Sequence, residues 1–198
     1  MAGQAKVGSI AAIVTAVGYV LSVGALVVGT AMEKGDDSND LPIIVGTWWL
    51  GSTVGTIAAA VVVYAAVRRS GGFAGALPKA AIVAAVLAAV VSAMPWAFFV
   101  WGLLLSVAML LLALRLRSTG LGVAGRPSAW DWVVPVAFPL GVATTFGFYD
   151  TVVEASDNLD WAYTAGFSIS LVMTAAAMIQ AARWLRAPVE AATVASTI

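Results

Sequence analysis

The sequence predicts an all-α polytopic membrane protein: one bundle of six transmembrane helices, both termini cytoplasmic, with no soluble domain. Three observations lead there. The 198 residues are 62% hydrophobic and 10% charged, whereas soluble domains are roughly half apolar and a quarter charged. The apolar residues fall into runs of bilayer-spanning length, separated by short polar stretches. The charges also segregate by sign: nine of ten Lys and Arg lie on one side of the alternating runs and eight of ten Asp and Glu on the other, under a formal net charge of zero.

A hydrocarbon core of about 30 Å takes about 20 apolar residues in helical form. The first uncharged run predicts a span over residues 7–32, followed by a polar stretch at 33–40. A cleaved signal peptide is the competing reading, but this run exceeds the usual apolar region of about 7–15 residues and has only Lys6 before it. The second span covers 42–67 and is ended by Arg68, Arg69 and the flexible Ser70-Gly71-Gly72. Residues 80–114 form a 35-residue run, about 52 Å long as a single helix and beyond ordinary tilt. Lys79 and Arg115 bracket it, and a hairpin returns both to one face. Met94-Pro95-Trp96 lies near its midpoint, where Pro disfavours helix at the preceding residue and readily starts a new one. Two short helices, about 77–94 and 96–114, are therefore predicted. Spans over 132–153 and 161–182 complete a single six-helix domain, residues 1–198.

Six crossings place Lys6, Arg68, Arg69, Lys79, Arg115, Arg117, Arg126, Arg183 and Arg186 on one side, with only Asp131 and Glu190 among acids. Basic residues in short loops mark the cytoplasmic face, so both termini are expected inside, in the plasma membrane. Trp96 and Trp161 fall at the outer boundary and Trp130, Trp132 and Trp184 at the inner one, as an interfacial aromatic belt requires.

Membrane helices associate through small residues that admit close backbone approach. Gly51-x-x-x-Gly55 marks such a face on the second helix, with Ser52 and Thr56 beside it. The third carries two small stripes, Ala80, Ala84, Ala88, Ser92 and Ala81, Ala85, Ala89, Ala93, and is expected to be central. Gly8, Ala12 and Ala16 repeat the spacing in the first helix, as do Gly166, Ser170 and Thr174 in the last. Packing within one bundle is expected of these faces ahead of a homo-oligomer interface, because every polytopic bundle needs them.

Centrally placed charge marks function in membrane proteins because it costs at least about 2.5 kcal/mol. Every span centre here is free of it, which argues against a voltage sensor and weakens a proton relay or cation pump. Aromatic residues gather instead in the outer halves of the spans. Trp48, Trp49, Trp101 and Phe146, with Thr144, Thr145 and the helix-end acid Asp150, form the candidate substrate-binding set, an outward-facing apolar pocket with sparse polar contacts. Lipid-facing aromatics are the competing account. Pro135 and Pro139, one turn apart and followed by Gly141, invite a bend in the fifth helix.

The chain holds no Cys and no His. That removes disulfides, thiolate chemistry, the usual haem, zinc and copper ligand and the commonest general base. Asp36, Ser38 and Asp40 alternate like calcium ligands, but Leu41 and Thr47 occupy the Gly and Glu positions of that pattern. Tyr149-Asp150 matches half of an intramembrane aspartyl protease pair, and the second half is missing. There is no phosphate loop, nucleophile elbow or potassium-filter sequence. No enzyme activity, cofactor, metal or nucleic-acid partner is expected. The lipid bilayer is the expected partner, together with other membrane subunits or further copies of the chain. Two functions fit: a small transporter, or transporter membrane subunit, for a neutral or apolar small molecule, and a non-catalytic accessory or scaffold subunit of a membrane complex.

Overall fold

Among the described residues, six α-helices follow the apolar runs in order: α1 Ala2–Met32, α2 Leu41–Arg69, α3 Ala76–Ser92, α4 Phe98–Ser118, α5 Trp130–Val152 and α6 Leu159–Arg186. The computed structural model describes residues 2–32, 41–94, 97–152 and 159–187. Among these, Ala5–Met32, Ile44–Arg69, Phe99–Ser118 and Thr164–Arg186 are long and apolar enough to cross a membrane. α3, at 17 residues, is about 26 Å long.

At their basic ends the helices outrun the uncharged segments. α2 ends on Arg68 and Arg69, α4 continues through Arg115 and Arg117, and α6 reaches Arg186. Cations in the last turn complement the negative helix C-terminus, so charge there does not stop a helix. The long apolar run does break into two helices, but α4 opens at Phe98 rather than 96. Ala97 donates its N–H to Met94 O in the intervening turn; Pro95 and Trp96 lie outside the described residues.

Sequence neighbours pack on one another from α1 to α6, and α6 packs back on α1, closing a circuit. α2 also touches α4 and α6 across it. The expected central place of α3 is corrected: its main neighbours are α2 and α4. It buries Ala81, Ala84, Ala85, Ala88 and Ser92 and leaves Val83, Val86, Leu87 and Val90 exposed. A small-residue face lets two backbones come close without requiring neighbours on every side. α4 supplies the deepest column, Trp101, Leu105, Ala108, Met109, Leu112 and Leu116.

Two helix pairs are held by the same clasp. On α1, Ser22 Oγ donates to Gly18 O at 2.9 Å and lies 3.0 Å from Trp48 O of α2. On α6, Ser170 Oγ is 3.0 Å from Gly166 O and 2.9 Å from Ala137 O of α5. Each Ser sits one turn after a Gly that faces a Gly of the partner helix. A β-carbon at Gly51 would lie 2.8 Å from Gly18 O, and one at Gly141 would lie 2.5 Å from Gly166 O. Gly55 is equally restricted, with the Tyr19 ring 2.6 Å from a β-carbon there. Gly51 and Gly55 thus serve packing inside one chain, against α1.

Candidate functional site

The interior is organised by aromatic rings and hydroxyls. Tyr19 on α1 stacks on Trp101 on α4 with ring centroids 6.3 Å apart, and Phe138 on α5 meets the Trp101 indole edge-on at 5.2 Å. Trp101 is 2% exposed. These three rings link helices that are not all neighbours in the circuit. The Tyr19 hydroxyl is satisfied by Thr56 Oγ1 at 3.0 Å, and Gly102 admits the Phe138 ring, since a β-carbon there would lie 2.5 Å from its Cδ1. Nearer the helix starts, Phe167 on α6 packs with Trp48 at 6.4 Å and Phe99 at 5.5 Å. Thr30 and Thr164 share a hydroxyl hydrogen bond between α1 and α6.

Those sequence-predicted site residues whose side chains are described do not gather in one place. Trp101 belongs to the central ring cluster, and Trp48 to the cluster around Phe167. Trp49 turns to α3, where its Nε1–H donates to Ser92 O at 3.2 Å beside Thr53 Oγ1 at 2.7 Å. Two α2 donors therefore satisfy a carbonyl in the last turn of α3, a place where helices leave carbonyls orphaned. Thr144 and Thr145 bond back to Leu140 O and Gly141 O on their own helix. Phe146 and Asp150 lie on α5, and their side chains are outside the described set. Ala84, Ala88 and Ser92 lie on the buried face of α3, as expected for packing. Tyr19 and Phe138 escaped the sequence reading because nothing in local spacing distinguishes a ring pointing to the bundle axis from one pointing to lipid.

The basic end is more elaborate than charge counting implies. Asp131, 1% exposed, accepts from Val123 N–H at 2.7 Å, Ser128 N–H at 3.0 Å and Arg117 Nε at 3.4 Å. The Ser128 contact is half of a capping box at the start of α5. Asp131 therefore does more than complement a helix dipole: it folds residues 119–129 around itself. Gly122 is enclosed there, since a β-carbon would lie 2.7 Å from Asp131 Oδ1. Arg117 also lies over the Trp132 ring at 5.0 Å. Arg69 caps α6, donating to Leu185 O at 2.9 Å and Ala187 O at 2.7 Å, with its guanidinium 5.3 Å from the Trp184 ring centroid. Arg186 Nε reaches Ser9 Oγ at 2.7 Å, joining α6 to α1. Arg69, Arg117 and Arg186, three arginines that the sequence offered only as topology signals, tie this end together. No family model, curated protein or solved structure matches the chain.

Proposed function

We propose that the chain crosses the plasma membrane six times, with both termini and the loops at 70–75 and 119–129 cytoplasmic, and serves as a non-catalytic accessory subunit of a membrane complex. The charge segregation and the positive-inside bias support the topology. The Tyr19–Trp101–Phe138 cluster carries the functional reading: the residue best placed to line a central pocket is itself packed between rings from two other helices. The two glycine–serine clasps and the arginine ties at the basic end support the same role, a stiff body rather than a moving one. Its exposed apolar surface then meets lipid and neighbouring subunits.

A second reading, transport of a neutral or apolar small molecule, is favoured by the Trp48–Phe167–Phe99 contacts beyond Trp101 and by Pro135 and Pro139 within α5. Purification from native membranes in mild detergent, after crosslinking, separates the two. The accessory reading expects a membrane partner at reproducible stoichiometry. Solute uptake into liposomes by the chain alone, abolished by Trp48→Ala, would establish transport instead.

A further inference from the structure

The α3–α4 hairpin stops short of the helices around it, and only at the acidic end. At the basic end the helices finish together: Arg115 of α4 lies 3.4 Å from Ser70 O just beyond α2, Arg69 of α2 caps α6, and Arg117 of α4 meets Asp131 of α5. At the acidic end the height of the hairpin tip is set by its contacts along the neighbours. Ser92 O, in the last turn of α3, accepts from Trp49 and Thr53, which lie roughly 12–18 Å along α2 from its start at Leu41. By the same helix rise, the start of α4 at Phe98 falls roughly 15 Å short of the α1 end at Met32, through the Tyr19–Trp101 stack. It falls roughly 16 Å short of the α5 end at Val152, through Trp101 and Phe138, and roughly 10 Å short of the α6 start at Leu159, through Phe99 and Phe167.

Within a bilayer such a hairpin is too short. α4 runs about 26 Å from Phe98 to Arg115, and the uncharged part of α3 beyond Lys79 runs about 20 Å to Ser92, against a hydrocarbon thickness of about 30 Å. The overtopping turns of α5 and α6 carry Asp150 and Asp160, so the tip lies below the level at which its neighbours turn polar. Lipid reaches it from the side, because Val90, Ala93, Met94 and Val100 are exposed. The tip is a turn, closed by Met94 N–H to Val91 O and by Ala97 N–H to Met94 O. An exposed turn does not persist within hydrocarbon, since its remaining backbone groups need water. A span shorter than the bilayer is accommodated when the bilayer thins beside it. We propose, on the six-crossing reading, that the outer leaflet thins to meet this tip, making the α3–α4 edge a contact surface for a bilayer of short hydrophobic height.

The test uses the purified full chain in phosphatidylcholine vesicles with myristoleoyl, palmitoleoyl, oleoyl or erucoyl chains, in order of increasing thickness. A bimane on Met94→Cys reports depth through quenching by nitroxide lipids labelled at the headgroup or near the bilayer centre, and Val86→Cys is the mid-span control. In oleoyl vesicles Met94→Cys is expected to be quenched more by the headgroup label, and Val86→Cys more by the central one. Tm of the unsubstituted chain is expected to be highest in myristoleoyl or palmitoleoyl vesicles and lowest in erucoyl vesicles. Lengthening both helices at the tip by one turn, inserted after Ala93 and before Phe98, is expected to move the Tm maximum to a longer chain. Stronger quenching of Met94→Cys by the central label overturns the proposal, as does a Tm independent of chain length. So does a lengthened chain that folds and keeps the original maximum. If the lengthened chain does not fold, the depth of Met94 and the chain-length dependence of the unsubstituted protein decide. Labelling of Ala74→Cys and Thr119→Cys from opposite sides of intact cells would overturn the six crossings and this surface with them. Labelling of both from one side, with Met94 deep in the bilayer, would overturn the surface alone.

Discussion

Replacement of Gly141 by Ala tests whether the α5–α6 clasp sets the spacing of the two helices. The added methyl overlaps the Ser170 hydroxyl and falls 2.5 Å from Gly166 O. A comfortable carbon–oxygen approach is about 3.3–3.6 Å, so the helices must part by roughly 1 Å. That displacement removes the Ser170 bond to Ala137 O, worth about 0.6–1.7 kcal/mol inside a membrane. Overpacking adds about 1–3 kcal/mol, and the better helix propensity of Ala returns about 1 kcal/mol. The expected net loss is about 0.6–3.7 kcal/mol, read as a shift in equilibrium unfolding by SDS in dodecyl maltoside, followed by Trp fluorescence. Gly24→Ala is the control, because a β-carbon there meets nothing within 4 Å. Adding Ser170→Ala to Gly141→Ala removes one of the two clashes, so the pair is expected to cost less than the sum of the single changes. Equal stability of Gly141→Ala and Gly24→Ala would refute the clasp.

Replacing Gly51 and Gly55 by Leu is expected to destabilise the isolated chain by more than about 3 kcal/mol, since both face α1 within the bundle; loss of a partner with unchanged melting would contradict this. Asp131→Asn weakens acceptance from three donors, costs about 1.5–3 kcal/mol and is expected to speed proteinase K cleavage within residues 119–129 roughly tenfold. Arg69→Gln loses charge-assisted bonds to the end of α6, again about 1.5–3 kcal/mol, with hydrogen exchange rising in the last turn of α6 and not in α4. Thr53→Val with Trp49→Phe removes both donors to Ser92 O and is expected to cost about 1 kcal/mol together, with a thermal melt as the check.

Helix number and order were legible because bilayer thickness and helix rise together convert an uncharged run into a span count. The hairpin within 80–114 followed from the same arithmetic and from Lys79 and Arg115 flanking it. Neighbour relations were less legible. The alanines of α3 identify a packed face, yet the same stripe suits a central helix and a rim helix, and α3 is on the rim. Gly141 and Gly166 carry a spacing signal, but their pairing needs three dimensions. Tyr19 and Phe138 show the limit for the site: Tyr19 is the one aromatic residue of α1 and Phe138 one of six in α5, and the role of each arises from Trp101, far away in sequence. The arginine ties were hidden behind another explanation, since a role in orienting the chain would already account for basic residues at those positions.

The proposed six crossings would put the basic end inside, and the chain's lack of Cys makes this directly measurable. Single cysteines at Ala74, Thr119, Asp37 and Asp157 are labelled in intact cells with a membrane-impermeant maleimide, before and after permeabilisation. With six crossings, Asp37→Cys and Asp157→Cys are expected to be labelled from outside, and Ala74→Cys and Thr119→Cys only after permeabilisation. Labelling of Ala74→Cys and Thr119→Cys from opposite sides would mean that α3 and α4 do not both cross, and would contradict the six-span bundle.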